Sequence, residues 1–255
     1  MVVCATACAT ASPALAPARV LEANRLVLDV GTAYQAPLDT TVLSDAREAE
    51  ARLAAGGVSD ADRTAVLRAS RAYGLAPPGV ASYVAGRVGI GARLEGSIAM
   101  IGRSVRIGLR RALLESEGWT FSGGVDGRFA YLSGATDGTV PGLTVREAHF
   151  YGGDVLLAVG RTSRNLYDLW FGLRAGAGWG DARLEQAHLV PSALDATALR
   201  IETGAVLGLR VGFGHLAAAI ELEACYAWVS GSDGHETLRA GSLALVPAGA
   251  LSYQF

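Results

Sequence analysis

Hydrophobic and polar residues alternate with a period of two along most of this chain of 255 residues. In Leu199–Phe213 the large apolar residues fall mainly on odd positions, whereas Arg200, Glu202 and Arg210 fall on even ones. Leu216–Trp228 repeats the pattern after Gly214 and His215. Because successive strand side chains point to opposite faces, the alternation predicts strands with one apolar and one polar face.

The same division recurs upstream and in the last segment of the chain. These segments exceed the ~5–6 residues of typical soluble strands and match the ~9–11 residues of a tilted membrane strand. They predict an all-β fold, an antiparallel up-and-down barrel of about ten strands over residues 19–255, with eight or twelve strands as alternatives. The further segments are Leu26–Gln35, Ser82–Gly91, Leu94–Ile101, Val105–Arg110, Trp119–Tyr131, Thr144–Arg161, Tyr167–Trp179 and Leu238–Phe255.

The connections between these segments alternate in length, as short periplasmic turns and longer external loops do in membrane barrels. Gly102–Ser104 breaks the alternation, because it is short on the side of the long loops. The short connections are Glu115–Gly118, Arg161–Asn165 and Gly214–His215, and the longer ones are residues 36–81, Ser133–Leu143 and Gly180–Thr197.

Residues 37–80 form the long first loop and carry the one helical pattern. Ser59 followed by Asp62 resembles a capping box before Arg63–Tyr73, and Pro77 and Pro78 end the pattern. Helices here would cover the barrel mouth, dock into it or bind a partner. We favour the simplest interpretation, a solvated loop helix without a partner.

Composition narrows the class of protein. The chain is 51% hydrophobic and 18% charged with a mean hydropathy of +0.30, yet it has no run of the ~20 apolar residues that a transmembrane helix needs. A soluble protein with a large core and a membrane β-barrel both remain open. The net charge of -2, with arginine as the basic residue throughout, excludes a basic footprint for nucleic acid.

The first 18 residues are small and uncharged and predict a signal or leader segment. Ala9, Thr10 and Ala11 fit a small-x-small cleavage site, although the positive n-region is missing. Cys4 and Cys8 lie within this segment, which leaves Cys225 as the cysteine of the mature chain. The cysteines form no CxxC pair, so the sequence predicts neither a metal nor a cofactor.

The last segment, LRAGSLALVPAGALSYQF, resembles the closing strand of bacterial outer-membrane β-barrels. Its terminal aromatic follows alternating hydrophobic residues, with Leu251, Tyr253 and Phe255 on one face. Pro247 departs from the pattern, because proline donates no ladder hydrogen bond. The resemblance implies residence in the outer membrane of a Gram-negative bacterium, contact with its lipids and recognition of these three residues by the barrel-assembly machinery. We expect a monomer.

If the apolar faces meet lipid, charged side chains point into the lumen. In a narrow barrel they must pair, because an unpaired buried charge is very costly. We interpret them as a structural network, with a polar conduit or anion site on the arginines as the alternative. Its members are Arg87, Arg106, Arg110, Asp126, Arg128, Asp168, Arg174, Arg200, Glu202, Arg210, Glu221 and Glu223, joined by Asp29, Glu95 and Asp154.

The sequence gives little support for catalytic residues. His149 with Glu147 resembles an acid–base pair, and His188 lies near Ser192 and Asp195, but a triad is defined by geometry. His215 and His235 suggest no metal cluster.

Three functions remain open. The favoured one is a noncatalytic outer-membrane barrel with a structural or surface-interaction role or restricted passage of small solutes. The alternatives are a barrel enzyme acting on lipid or peptide at the outer rim, and a soluble β-barrel that binds a hydrophobic ligand.

Overall fold

Ten antiparallel strands close into one barrel in this computed structural model. Each strand pairs with its neighbours in sequence, and the first pairs with the last. The predicted up-and-down topology and the count of ten are thereby confirmed. The elements are β1 (Leu26–Pro37), α1 (Thr41–Ala54), α2 (Asp60–Gly74), β2 (Gly79–Gly91), β3 (Leu94–Ile101), β4 (Ser104–Ser116), β5 (Trp119–Ala135), β6 (Leu143–Ser163), β7 (Tyr167–Gln186), β8 (Ala193–Phe213), β9 (Leu216–Ser232) and β10 (Thr237–Gln254).

The structure describes residues 13–15, 17–38, 40–57, 59–74, 78–135, 142–163, 166–187, 189, 193–232 and 237–255. No helix within these ranges is long and apolar enough to cross a membrane.

The barrel closes where β1 meets β10. Val27 pairs with Gln254, and the Phe255 N–H donates to the Leu26 carbonyl at 2.9 Å. The β1–β10 ladder is interrupted between the pairs Ala33–Ala248 and Ala36–Leu245. Pro247 lies in that gap, because its nitrogen has no hydrogen to donate.

The wall is taller on one side than on the other. β6 and β8 each have 21 residues, whereas β3 has eight. The pairing of β4 with β5 stops at Ser104–Ala130, whereas β5 continues along β6 to Ala135. The predicted loops Ser133–Leu143 and Gly180–Thr197 were too long, because small and polar residues extend the strands beyond the clear apolar alternation.

Both helices dock into the mouth of the barrel on its tall side. Leu43 and Ala46 of α1 and Ala69 and Tyr73 of α2 are buried in one apolar cluster with the inner faces of the strands. The strand members of this cluster are Leu132, Leu143, Val145, Ala148, Ala182, Leu184, Ala198, Val229 and Ala240. The expectation of a solvated loop helix is therefore wrong, and the alternative that the helices dock into the barrel mouth is confirmed. The helices dock because each carries an apolar stripe, and the inner surface of the tall wall covers that stripe.

An ion pair joins the two helices. The Arg52 guanidinium donates two hydrogen bonds to the Asp62 carboxylate, at 2.9 and 2.7 Å. This hydrogen bonding raises the pKa of Arg52. Asp62, which the sequence assigns to a capping box, thus binds the neighbouring helix. We name α1, α2 and the turn between them the helical cap.

We predict that Leu43→Asp releases the helical cap without opening the barrel wall. Burying a carboxylate at this site would cost at least about 2 kcal/mol, because it replaces apolar contacts with an unpaired charge. Trypsin should then cut after Arg47, Arg52, Arg63 or Arg68 much faster than in the wild type. Leu38→Asp is the matched control, because Leu38 in the same loop is 53% exposed. Equal cleavage of the two variants would contradict the docked arrangement.

Candidate functional site in the barrel interior

The inner face of the barrel brings the predicted lumen residues together. All of them point inward, and the least buried, Arg210, has a side chain that is 17% exposed. They come from strands β2, β4, β5, β7, β8 and β9, where each occupies the polar positions of the alternation. Asp29, Glu95 and Asp154 lie on the same face.

Asp154 is at the centre of the network and its side chain is fully buried. It accepts a hydrogen bond from Arg106 at 2.7 Å and two from Arg174, both at 2.9 Å. Arg106 also donates to Asp126 at 2.6 Å, and Arg174 to Glu223 at 3.3 Å. The planar guanidinium fork thus joins carboxylates on three different strands.

A second group of paired charges lies toward the first strands. Arg87 donates through Nε to Asp29 at 3.0 Å, and Ser252 of the closing strand donates to the same carboxylate. Glu95 accepts from Arg110 at 2.8 Å. These contacts tie β1, β2, β3, β4 and β10 together from the inside.

Toward the other strands, Glu202 lies between two arginines. Arg128 donates to it at 2.9 Å, and Arg200 is also in contact. Arg128 in addition lies 4.9 Å over the Phe150 ring. Arg210 is held more loosely, since its guanidinium lies 3.5 Å from Asp168.

Residues 13–15 and 17–22 lie inside the barrel, and we name them the lumen segment. Leu15 is 1% exposed and Ala18 is equally enclosed. The Ala14 N–H donates to Glu221 at 2.7 Å, and the Leu21 N–H donates to Glu95 at 2.9 Å. Main-chain N–H groups of this segment therefore donate hydrogen bonds to carboxylates of the barrel wall. Carbonyls of the segment in turn accept hydrogen bonds from Arg106 and Arg110.

Trp170 fills the space beside the lumen segment. Its indole N–H donates to Glu221 at 3.2 Å, and the side chain is almost completely buried. A Cβ added at Gly208 on the neighbouring strand would lie 2.0 Å from the ring. Glycine is thus required at position 208 for the indole to lie flat against the wall.

The outer face of the barrel is apolar. Large hydrophobic side chains are exposed on every strand, among them Ile98, Ile107, Ile220 and Leu251. A continuous belt of this size is not found on soluble monomers, and it matches the lipid-facing surface of a membrane barrel. The chain is a transmembrane β-barrel of the bacterial outer-membrane type. The alternative of a soluble barrel with apolar faces turned inward is therefore wrong.

Aromatic side chains mark both edges of the lipid-facing belt of this outer-membrane barrel. Trp119 and Tyr167 are exposed near the short turns, and Tyr131, Tyr151 and Trp179 are exposed toward the opposite end. Tyrosine and tryptophan prefer the boundary between hydrocarbon and water. Both edges of the belt therefore suit a boundary with water. Because outer-membrane barrels have short periplasmic turns and longer external loops, we expect the short turns on the periplasmic side and the helical cap on the external side.

Solved structures of bacterial membrane barrels resemble this barrel. Neisserial surface protein A is 10% identical over 91% of this chain and 96% of its own, with a TM-score of 0.33. The Ralstonia pickettii toluene transporter TbuX is 10% identical over 93% of this chain and 90% of its own, with a TM-score of 0.39. The outer membrane protease OmpT from Escherichia coli gives 7% identity, covers 91% of this chain and 97% of its own, and has a TM-score of 0.46. No protein-family model and no curated protein matches the chain.

The predicted assembly residues lie on the outer face at the periplasmic end of the barrel. Leu251, Tyr253 and Phe255 are all exposed, and the Tyr253 and Phe255 rings meet edge to face with centroids 4.8 Å apart. Their recognition by assembly machinery stays a prediction.

The candidate catalytic residues lie apart from the lumen. His149 and Glu147 are outside, toward the external end, with Nε2 and Oε1 3.1 Å apart and the imidazole against Tyr131. His188, Ser192 and His235 lie outside the described residues, and His215 is in a periplasmic turn. Within the described ranges, no group of three His, Cys, Asp or Glu side chains is placed to hold a metal ion.

The sequence did not indicate the lumen segment. Pro13, Ala14, Leu15, Pro17 and Ala18 belong to the predicted leader of residues 1–18, yet they lie in the lumen. Cys4, Cys8 and the motif at Ala9–Ala11 are outside the described residues, and the leader stays a prediction. The segment is short and has no periodic pattern, so its composition carried no signal for an interior position.

We predict that Arg174→Met destabilises the folded barrel by about 3–5 kcal/mol, because it leaves Asp154 and Glu223 short of their shared partner. The midpoint of urea unfolding in detergent micelles measures the change. Arg161→Met is the control, since Arg161 is exposed and its guanidinium lies over the Trp119 ring on the outer face. Equal unfolding midpoints for both variants would show that the network contributes no stability.

Proposed function

We propose that this protein is a noncatalytic outer-membrane barrel that is closed to free diffusion and displays its helical cap at the cell surface for interactions. The burial of α1 and α2 in the external mouth is the observation that carries the proposal. A cap with its apolar stripe covered leaves its polar faces toward the outside. Those faces are then the surface that a partner meets.

The interior supports a closed barrel in two further ways. The lumen segment is held by wall carboxylates and arginines through its main chain. Charged side chains deeper in the barrel form ion pairs with one another. Asp154, for example, pairs with Arg106 and Arg174. A barrel of this strand number is barely wider than its own side chains, so these groups fill it.

Restricted passage of small solutes is the second candidate. A polar cavity of about 190 Å³ lies at the periplasmic end, beside Arg87 and Arg210. It favours entry of a small charged solute from that side, provided that the lumen segment moves.

Catalysis at the outer rim is the third candidate. The pair of His149 and Glu147 would have to supply its acid and base. The pair alone gives no nucleophile, so we consider it a polar contact at the membrane boundary.

Planar bilayer recordings test the closed barrel. We expect the wild-type chain to give no stable conductance steps. A variant lacking residues 13–22 should give small steps, because the deleted segment occupies the lumen. A Leu43→Asp variant tests the contribution of the helical cap separately. Stable steps from the wild type would reject the closed barrel and favour restricted passage.

We also infer that the closing strand is the segment read by the barrel-assembly machinery. Phe255 is 56% exposed, and its backbone joins β10 to β1 at the closure. A ring that protrudes at the seam between the first and last strands is available to another protein before closure.

We predict that Phe255→Ala lowers the amount of folded protein in the outer membrane severalfold while leaving refolding into detergent unchanged. Phe213→Ala is the matched control, because Phe213 is also at the periplasmic end of the outer face and is 76% exposed. Heat-modified mobility on gels measures folded protein in both assays. Equal losses for the two variants in cells would point to lipid contact rather than to recognition.

A further inference from the structure

A groove crosses the outer face of strands β3 to β6 near the short turns, and we name it the outer groove. It has a volume of about 350 Å³ and is lined mainly by leucine and valine side chains. Two rows of paired residues form it, Leu94, Arg111, Gly123 and Leu157 nearer the turns and Leu109, Val125 and Val155 farther from them. Because the groove opens on the lipid-facing side of the wall, a ligand reaches it from the membrane.

Gly123 forms the floor of the outer groove. A Cβ added at this position would lie 3.4 Å from side-chain carbons of both Leu113 and Leu157, which stand on either side of the gap. Gly127 faces outward on the same strand, where an added Cβ would meet the Ile107 carbonyl oxygen at 3.9 Å, but it does not line the groove. The missing side chain at position 123 therefore leaves the space between the two leucines open.

Arg111 places a positive charge beside this floor. It is exposed on the outer face and pairs with Gly123 on one side and with Leu94 on the other. Leu94 begins β3 directly after the turn from β2, so Arg111 lies at the level of that turn. The next acidic residue along β4 is Glu115, which pairs with Arg93 at 3.2 Å. A charge that faces lipid is unfavourable unless a partner neutralises it, and no carboxylate is among the described residues that line the groove.

We propose that the outer groove binds a phospholipid, with part of one acyl chain over Gly123 and the phosphate at Arg111. A guanidinium group forms two parallel hydrogen bonds to phosphate oxygens, and the leucine and valine rows match the chain. The two parts follow in the order that a bilayer requires, because Arg111 is nearer the turns and Val125 and Val155 are farther into the hydrocarbon. The proposal goes beyond the closed barrel, because it concerns the outer face alone.

Native mass spectrometry of the full chain with dioleoyl phosphatidylglycerol tests the groove. The protein is kept in a detergent without phosphate groups, and the bound fraction is followed as the lipid concentration rises. We expect one phosphatidylglycerol to bind the wild type saturably. Gly123→Leu should weaken this binding at least about tenfold, because the added side chain takes the place of the acyl chain. Gly127→Leu is the matched control, since it adds the same side chain to the same face outside the groove, and it should bind as the wild type does.

The phosphate contact is tested separately. Arg111→Gln should weaken binding of phosphatidylglycerol about tenfold, the loss expected for a charge-assisted hydrogen bond. Arg161→Gln removes the same charge from the outer face away from the groove and should bind as the wild type does. Dioleoylglycerol has the same chains without the phosphate, so the wild type and Arg111→Gln should bind it equally.

Absence of saturable binding to the wild type, or equal affinity in Gly123→Leu and Gly127→Leu, would overturn the proposal. Unchanged affinity of Arg111→Gln for phosphatidylglycerol would overturn it as well. Should Gly123→Leu fail to give the mobility of a folded barrel, Gly123→Val replaces it with Gly127→Val as its control, and equal affinity of that pair would again reject the groove. Bilayer conductance plays no part in these experiments, so the closed barrel stands or falls separately.

Discussion

Hydrocarbon around a β-sheet offers no hydrogen-bond partner, and this constraint determines the rest of the molecule. Every backbone group in the membrane must be paired within the protein, so the sheet closes on itself. The junction of β1 with β10 provides the closure, down to the contact between Phe255 and Leu26. Once the wall is closed, each strand sends alternate side chains into a narrow lumen. The charges inside must therefore pair.

The interior meets that requirement with arginine and with main-chain groups. Asp154 on β6 shows the first solution, since Arg106 on β4 and Arg174 on β7 reach it from either side. Glu221 shows the second, because the Trp170 indole and the Ala14 main chain donate to it. The lumen segment is thus part of the electrostatic balance of the barrel, in addition to filling space. Its removal would leave wall carboxylates and guanidinium groups short of partners.

The alternation of apolar and polar residues predicted those features that depend on position along a single strand. The alternation in Leu199–Phe213 identifies both faces of β8, because side-chain direction depends only on position along the strand. It also identifies Arg174 and Glu223 as inner residues, but their pairing depends on strand register and tilt. The docking of α1 and α2 could not be predicted from their apolar stripes, because such a stripe does not specify which surface it packs against. The position of residues 13–22 had no periodic signal at all.

Different forces hold the helical cap and the lumen segment at the two ends of the barrel. At the external end, Leu43, Ala46 and Tyr73 bury apolar surface against the tall wall, so closure there depends on packing. At the periplasmic end, the lumen segment is held by charged side chains, with Arg210 and Asp168 in loose contact. Salt screens charged contacts near water more than buried apolar ones. The contacts of the lumen segment should therefore respond to salt more than those of the helical cap.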